Sequence, residues 1–293
     1  MFIARVIAEP AALSANCEPA IHALEALGFK VASAEGLGGV DDLLEIRAEG
    51  GEAEALRGVI DRFFTPSDLL VVAHEAPGVP KVFVSDMDST MIGQECIDEL
   101  ADFAGIKAEI AAITERAMQG ELDFTEALTG RVRLLGGLGE DAILECLEQR
   151  IVAMPGAKVL VETLKAHGSH TVLVTGGFHQ FADPVAEQLG FQRVVGNRLA
   201  VEHGKLTGGL VGGIVDSGVK ETVLREEVAL RGGTSLATGD GANDIPMLVA
   251  ASYGIAYHAK PKARAASNGA IDQGDLTSVL RLLGVPREEW IWD

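Results

Sequence analysis

Cysteine is scarce in this chain. Its three residues, Cys17, Cys96 and Cys146, are odd in number and far apart. No pair has metal-ligand spacing, so neither a disulfide framework nor a cysteine metal site is expected, and a reducing compartment fits. Positive charge is also short, with 24 Lys and Arg against 43 Asp and Glu, a formal net charge of −19. Nucleic acid and anionic membrane surfaces both need a positive face, so neither is expected as a partner. A small anionic substrate is not excluded, because a metal or a few local cations can reverse the field inside a cleft. No apolar run reaches the roughly 20 residues that span a bilayer. The segment Met1–Arg5 lacks the charged region, apolar stretch and cleavage site of a secretory signal. A soluble, cytoplasmic protein is the expectation. What is present is apolar material, 47% of 293 residues. That is enough for a large core in about two domains.

The pattern along the chain changes once. Residues 1–75 read as strand, helix, strand, strand, helix, strand, with strands at Phe2–Ile7, Lys30–Ala34, Leu43–Ile46 and Asp68–Ala73 and helices at Leu13–Leu27 and Ala53–Phe64. The stretch Glu75–Pro80, with prolines either side of Gly78, reads as a linker, taken as residues 76–80. Beyond it, Val82–Ser85 and Val172–Val174 are short apolar runs that suit strands buried on both faces. A long helical stretch over Ile97–Gly139 separates them, and a helix over Lys158–His167 precedes the second. Val194–Gly213 alternates enough for one or more β-hairpins. A helix over 219–230, a strand over Ser235–Thr238, a helix over Pro246–Ala251 and a final strand at Gly254–Ala256 complete the reading. Strands alternating with helices predict an α/β fold around a parallel sheet.

Polar residues gather where the buried strands end, which is where open α/β sheets bind ligands. The first end is Asp86-Met87-Asp88-Ser89-Thr90. Residues two apart on an extended chain point the same way, so Asp86 and Asp88 can face one cleft. Paired carboxylates repel, and a hard cation such as Mg²⁺ between oxygen donors relieves them. One carboxylate can then attack phosphorus while the other moves protons. The second end, Thr175-Gly176-Gly177-Phe178, offers a hydroxyl and backbone N–H groups in a turn that suits an anion. The third, Gly239-Asp240-Gly241-Ala242-Asn243-Asp244, places another carboxylate past a strand, and Lys220 lies between the last two. Taken singly, each is as readily a solvated turn or a surface lysine. Together they supply what phosphoryl transfer needs, which is positioning and charge stabilisation.

In this order the motifs, from about Val82 to Leu283, resemble the haloacid dehalogenase-like superfamily, and within it the phosphoserine phosphatase family. The resemblance implies a Rossmann-like catalytic domain over 81–293, with a helical cap at about 93–150 and a hairpin region at about 194–214. It implies that Asp86 forms an aspartyl-phosphate and that Asp88 is the general acid and base. Magnesium would be held by Asp86, the backbone carbonyl of Asp88, and Asp240, with Asp244 in support. Lys220 would act on the phosphoryl group, and Thr175, Gly176 and Asn243 would contact it. Thr175 stands where serine is common in the family and keeps the hydroxyl. In the cap, Glu95 would face the substrate's ammonium and Arg131 its carboxylate, with Met118 and Phe124 as apolar walls. The implied reaction is hydrolysis of O-phospho-L-serine, the last step of serine biosynthesis. Another small phosphate ester, or phosphotransfer, would use the same core.

Residues 1–75 resemble an ACT-like α+β domain in element order. Their first turn, Ala8-Glu9-Pro10-Ala11-Ala12, lacks the Asp and Gly such domains often carry there. The role expected of this domain is therefore formation of a homodimer or packing on the catalytic domain. Amino-acid sensing is the rival function from another class.

Overall fold

The computed structural model describes residues 1–40, 42–118 and 121–292. The N-terminal unit runs β1 (Phe2–Ile7), α1 (Pro10–Ala26), β2 (Lys30–Gly36), β3 (Leu43–Glu49), α2 (Ala53–Phe64) and β4 (Asp68–Ala73). The chain then enters β5 (Val82–Ser85) and four helices, α3 (Cys96–Phe103), α4 (Lys107–Met118), α5 (Phe124–Leu134) and α6 (Asp141–Arg150). There follow α7 (Ala157–Ala166), β6 (His170–Phe178), α8 (His179–Leu189), β7 (Arg193–Asn197), β8 (Leu199–Glu202), β9 (Lys205–Leu210) and α9 (Ser217–Arg231). The last elements are β10 (Ser235–Gly239), α10 (Ile245–Ala250), β11 (Tyr253–Tyr257), α11 (Pro261–Ala266), β12 (Gly269–Ile271) and α12 (Thr277–Leu283).

The strands of the second unit are parallel in the order β12-β11-β10-β5-β6-β7. Alternation of side chains explains why helices cover both faces. Val82, Val84, Val172 and Val174 pack with Val223 and Leu224 of α9 and with Met247 and Leu248 of α10. Phe83 and Leu173 point the other way, into a core shared with Leu160 and Leu164 of α7 and Phe181 of α8. Side chains cap the starts of α9 and α5. Asp216 accepts from the Val219 N–H at 3.0 Å to start α9, and Asp123 and Glu126 close a capping box on α5.

The two units share one ten-stranded sheet, in the order β2-β3-β1-β4-β12-β11-β10-β5-β6-β7. The junction is the antiparallel pair β4–β12, Leu70 opposite Gly269 and Leu69 opposite Ala270. Side-chain bonds reinforce it. The carboxylate of Asp68, buried in β4, accepts from the backbone N–H groups of Asp272, Gln273 and Gly274 at 2.8–3.2 Å. Arg5 of β1 is buried, pairs with Glu45 at 2.8 Å, and donates to the carbonyls of Pro77 and Leu282. Asp68→Ala strands those N–H groups and is expected to destabilise the protein by about 2–4 kcal/mol, with Asp68→Asn between it and wild type. Urea unfolding measures this; an Ala variant within about 0.5 kcal/mol of wild type, the range of ordinary surface changes, contradicts it.

Four expectations need correction. The last strand is not Gly254–Ala256 but β12, a three-residue segment formed against β4. The stretch Thr175–Phe178 is not a turn. It continues β6, and its pairing with β7 slips between Val174 and Phe178, which marks a bulge. Within the region read as hairpins, β7 is a parallel strand of the main sheet, and only β8 and β9 form a hairpin. Finally, α8, α11 and α12 were not anticipated. No helix among the described residues is long and apolar enough to cross a membrane.

Candidate active site

The carboxyl ends of β5, β6 and β10 bring the three motifs together, and side chains of α3, α4 and α5 line the same space. A cavity of about 390 Å³ is lined by Asp86, Asp88, Glu95, Phe124, Arg131, Thr175, Gly176, Asp240, Asn243 and Lys260, among others. Asp86 follows the last residue of β5 and is 4% exposed. Its backbone N–H donates to the Thr238 carbonyl at 3.0 Å, which ties the start of the loop to β10. Its Oδ1 accepts from the Met87 N–H at 2.7 Å, and its Oδ2 lies 2.8 Å from Lys220 Nζ.

Lys220 is 1% exposed and lies in the first turn of α9. It bridges Asp86 and Asp244, the latter at 2.6 Å. Burial acts to lower its pKa, but the two carboxylates outweigh that and hold the ammonium above the usual lysine range. Burial and the charge of Asp244 push Asp86 the other way from an ordinary carboxylate, upward, against the pull of Lys220. Asp244 spends its other oxygen on the N–H groups of Asp240 and Gly241, at 3.2 and 3.0 Å. A side chain at Gly239 would meet the Asp244 carboxylate at 2.5 Å, so this turn needs glycine.

Carboxylate oxygens of Asp86, Asp240 and Asp244 lie within 4.8 Å of one another. That is a hard-donor cluster able to hold a cation. The Asp88 carboxylate stands outside it. Its Oδ2 accepts a long 3.4 Å bond from the Cys96 N–H, and its Oδ1 is buried with no partner among the described residues. Burial first, and the nearby Glu95 second, push its pKa up to about 7. A carboxylic acid therefore exists there near neutral pH, which suits a proton donor.

Across the cavity, Thr175 is buried and its Oγ1 accepts from the Gly177 N–H at 2.8 Å, which leaves its own O–H to donate. On α5, the Nε of Arg131 donates to the Ala127 carbonyl at 3.3 Å. Burial lowers its pKa, while Asp98 and Glu95 raise it. Glu95 is exposed on the cavity wall and accepts from Ser89 Oγ at 2.8 Å. Phe124, 41% exposed, closes over Gly176. Met118 ends α4, and its side chain lies outside the described residues.

Residues 83–249 match the haloacid dehalogenase-like hydrolase family. The phosphoserine phosphatase of Albidiferax ferrireducens is 44% identical over 210 residues, covering 69% of this chain and 89% of that protein. The chain belongs to the phosphoserine phosphatase family of these hydrolases. A phosphoserine phosphatase of Archaeoglobus fulgidus is 43% identical over 71% of this chain, and the match spans 61% of that relative's length. A solved structure of a probable phosphoserine phosphatase from Vibrio cholerae, in unliganded form, superposes with a TM-score of 0.74 at 28% identity, over 98% of this chain and 88% of that one.

Several contributors to this haloacid dehalogenase-like site escaped the sequence reading. Asn197, buried at the end of β7, donates to the Gly176 carbonyl at 2.7 Å and accepts from the Val215 N–H at 2.9 Å. It fixes the bulge that carries Thr175. A lone polar residue closing the run Val194-Val195-Gly196 was the available signal. Thr238 donates to Ser85 Oγ at 2.7 Å, and Ser85 to the Asp86 carbonyl, a buried relay beneath Asp86. Ile97, Thr114 and Leu128 add cavity wall, and Lys260 reaches in from beyond β11.

Proposed function

We propose that this chain hydrolyses O-phospho-L-serine to L-serine and inorganic phosphate, with Asp86 as nucleophile. The observation that carries this reading is one cavity with two chemistries. On its floor, a buried aspartate is clamped by a protonated lysine; on its other wall, the Arg131 guanidinium and the Glu95 carboxylate line the same space. A phosphoamino acid presents one phosphate, one ammonium and one carboxylate. Glu95 can match the ammonium, and the Arg131 fork the carboxylate, with Phe124 as apolar wall.

In the forward half-reaction, a carboxylate oxygen of Asp86 bonds to phosphorus as the bond from phosphorus to the serine oxygen breaks. Asp88 gives its proton to that oxygen. Asp88, now ionised, takes a proton from water as the water oxygen attacks the aspartyl-phosphate, and the bond from phosphorus to Asp86 breaks. The Thr175 hydroxyl, the Gly176 backbone and Asn243 orient the phosphoryl oxygens, and Lys220 offsets their charge. Magnesium suits the donor set of Asp86, Asp240 and the Asp88 carbonyl, with Asp244 in support, since all supply hard oxygens. When bound, the ion supplies further charge neutralisation at the phosphoryl group. The cap excludes bulk water.

For the rest of the molecule, the reading is a catalytic domain over 81–293, a linker over 76–80 and an ACT-like first domain. The βαββαβ order with antiparallel pairing in the order β2-β3-β1-β4 supports the last. Homodimer formation is kept as a role for that domain beside its packing on β12. A cytoplasmic setting is supported by three unpaired thiols.

Phosphate release from a panel of phosphoamino acids, with Mg²⁺ and with chelator, tests the function. Phosphoserine is expected to lead the panel, and chelation to abolish turnover. Equal rates on unrelated esters, or turnover unaffected by chelation, overturn the reading. Arg131→Ala should raise KM for phosphoserine about 10- to 100-fold, the worth of a charged hydrogen-bond pair, while sparing p-nitrophenyl phosphate. Equal loss on both substrates would count against the role of Arg131.

A further inference from the structure

Lys260 is unlike the other cations of the cavity. Lys220 is immobilised, with both carboxylate bonds at 2.8 Å or shorter. Arg131 sits on the cap. The Lys260 side chain is 71% exposed, and its Nζ lies 3.6 Å from Asp240 Oδ2, beyond hydrogen-bond length. Its backbone is not loose: its N–H donates to the Asp240 carbonyl at 2.9 Å. The result is a flexible four-carbon arm rooted beside the turn that carries Asp240, with its charge at the mouth of the cavity. An arriving phosphate monoester brings nearly two negative charges toward Asp86, Asp88, Asp240 and Glu95, which all line this space. Asp240 belongs to the cluster able to hold a cation, so its attraction for Lys260 weakens when that cluster is neutralised. The ammonium is then available to a phosphate oxygen.

The position of this arm is set from the N-terminal unit. Lys260 caps the start of α11, and the far side of α11 is fastened to the first domain. Arg264 forms two bonds to Asp61 of α2, at 3.1 and 2.8 Å, and a third to Asp272 at 2.7 Å. Arg57 of α2 donates to the Ser267 carbonyl, and the Val71 N–H of β4 donates to the Asn268 carbonyl at 2.8 Å. Six helical residues thus connect the first domain to the phosphate end of the site.

We propose that Lys260 binds an oxygen of the substrate's phosphoryl group and of the product phosphate, and that the N-terminal unit holds it in place through Arg264 and Asp61. This rests on the phosphatase reading. The test is binding of inorganic phosphate, by calorimetry in the presence of Mg²⁺, to the full-length wild type and to Lys260→Met and Lys260→Arg. Steady-state kinetics on phosphoserine are run at two ionic strengths. Lys260→Met should weaken phosphate binding about three- to tenfold and raise KM by a similar factor, as for one solvent-accessible charged contact. Its kcat should stay within about twofold, its kcat/KM should depend less on salt, and Lys260→Arg should restore most of the binding. Phosphate binding unchanged in Lys260→Met rejects the assignment, as does a fall in kcat with KM unchanged. If wild type itself neither binds phosphate nor hydrolyses any phosphate ester, it is the phosphatase reading that fails. Asp61→Asn should weaken phosphate binding in the wild-type background and not in Lys260→Met. An equal effect in both backgrounds rejects positioning by the N-terminal unit.

Discussion

Asp86→Asn is expected to lower kcat by about four orders of magnitude or more, because an amide cannot replace the carboxylate as attacking group. The variant should remain folded. Lys220 keeps Asp244 at 2.6 Å, so no buried cation is orphaned, and the change removes one of two neighbouring buried carboxylates. Phosphate release by the purified variant, with its thermal midpoint measured alongside, checks both statements. Turnover above about 1% of wild type, with the substitution verified, is incompatible with nucleophilic catalysis by this residue. Loss of folding would point instead to a structural part for Asp86.

Lys220→Met is expected to be the most damaging single change to the site's stability. It leaves Asp86 and Asp244 buried beside each other without their shared cation, a change that costs about 3–5 kcal/mol when one partner of a buried pair is removed. Turnover should be lost as well. Urea unfolding in chelator gives the cost, and added Mg²⁺ should recover part of it, since a ligand of the folded state stabilises by mass action. An unfolding free energy within about 1 kcal/mol of wild type would show that the carboxylates have another partner or have taken up protons. The sign of the pH dependence follows from the raised lysine pKa. The contribution of Lys220 is fully present below the unfolded value of about 10.4 and fades only as pH climbs through the higher folded value, so it should be flat between neutral and mildly alkaline pH.

The parts of the molecule that could be read in advance are those whose cause is local. Val82–Ser85 is apolar at every position but the last and follows soon after Pro80, so a buried strand was visible in it. Asp86, Thr175, Lys220 and Asp240 could be ordered along the chain, and the rule that ligands sit at the carboxyl ends of parallel strands placed them near one another. What escaped has distant causes. Gly269-Ala270-Ile271 has little strand character of its own; it is a strand because β4 and β11 pair with it on either side. The Thr175 segment looks like a glycine turn until Asn197 is seen bonding across from β7. α8 carries Pro184 in its interior, which argued locally against a helix. Lys260 had no mark at all, because its role depends on how α11 is held by residues some 200 positions away, Arg264 to Asp61 among them. The hydroxyl and carboxylates of a site can be found from type and order, but their bracing depends on tertiary contacts.

The pairing of β4 with β12 also bears on solubility. The outer side of a terminal parallel strand is a row of unsatisfied amides and carbonyls, a template on which another chain can add itself. Here that side of β12 is short, three residues, and β4 occupies it, backed by the Asp68 bonds to the following loop. The first domain thus acts as a cover as well as a neighbour. The catalytic sheet ends on this side in partners from its own chain, which leaves no backbone at β12 for a stranger to extend.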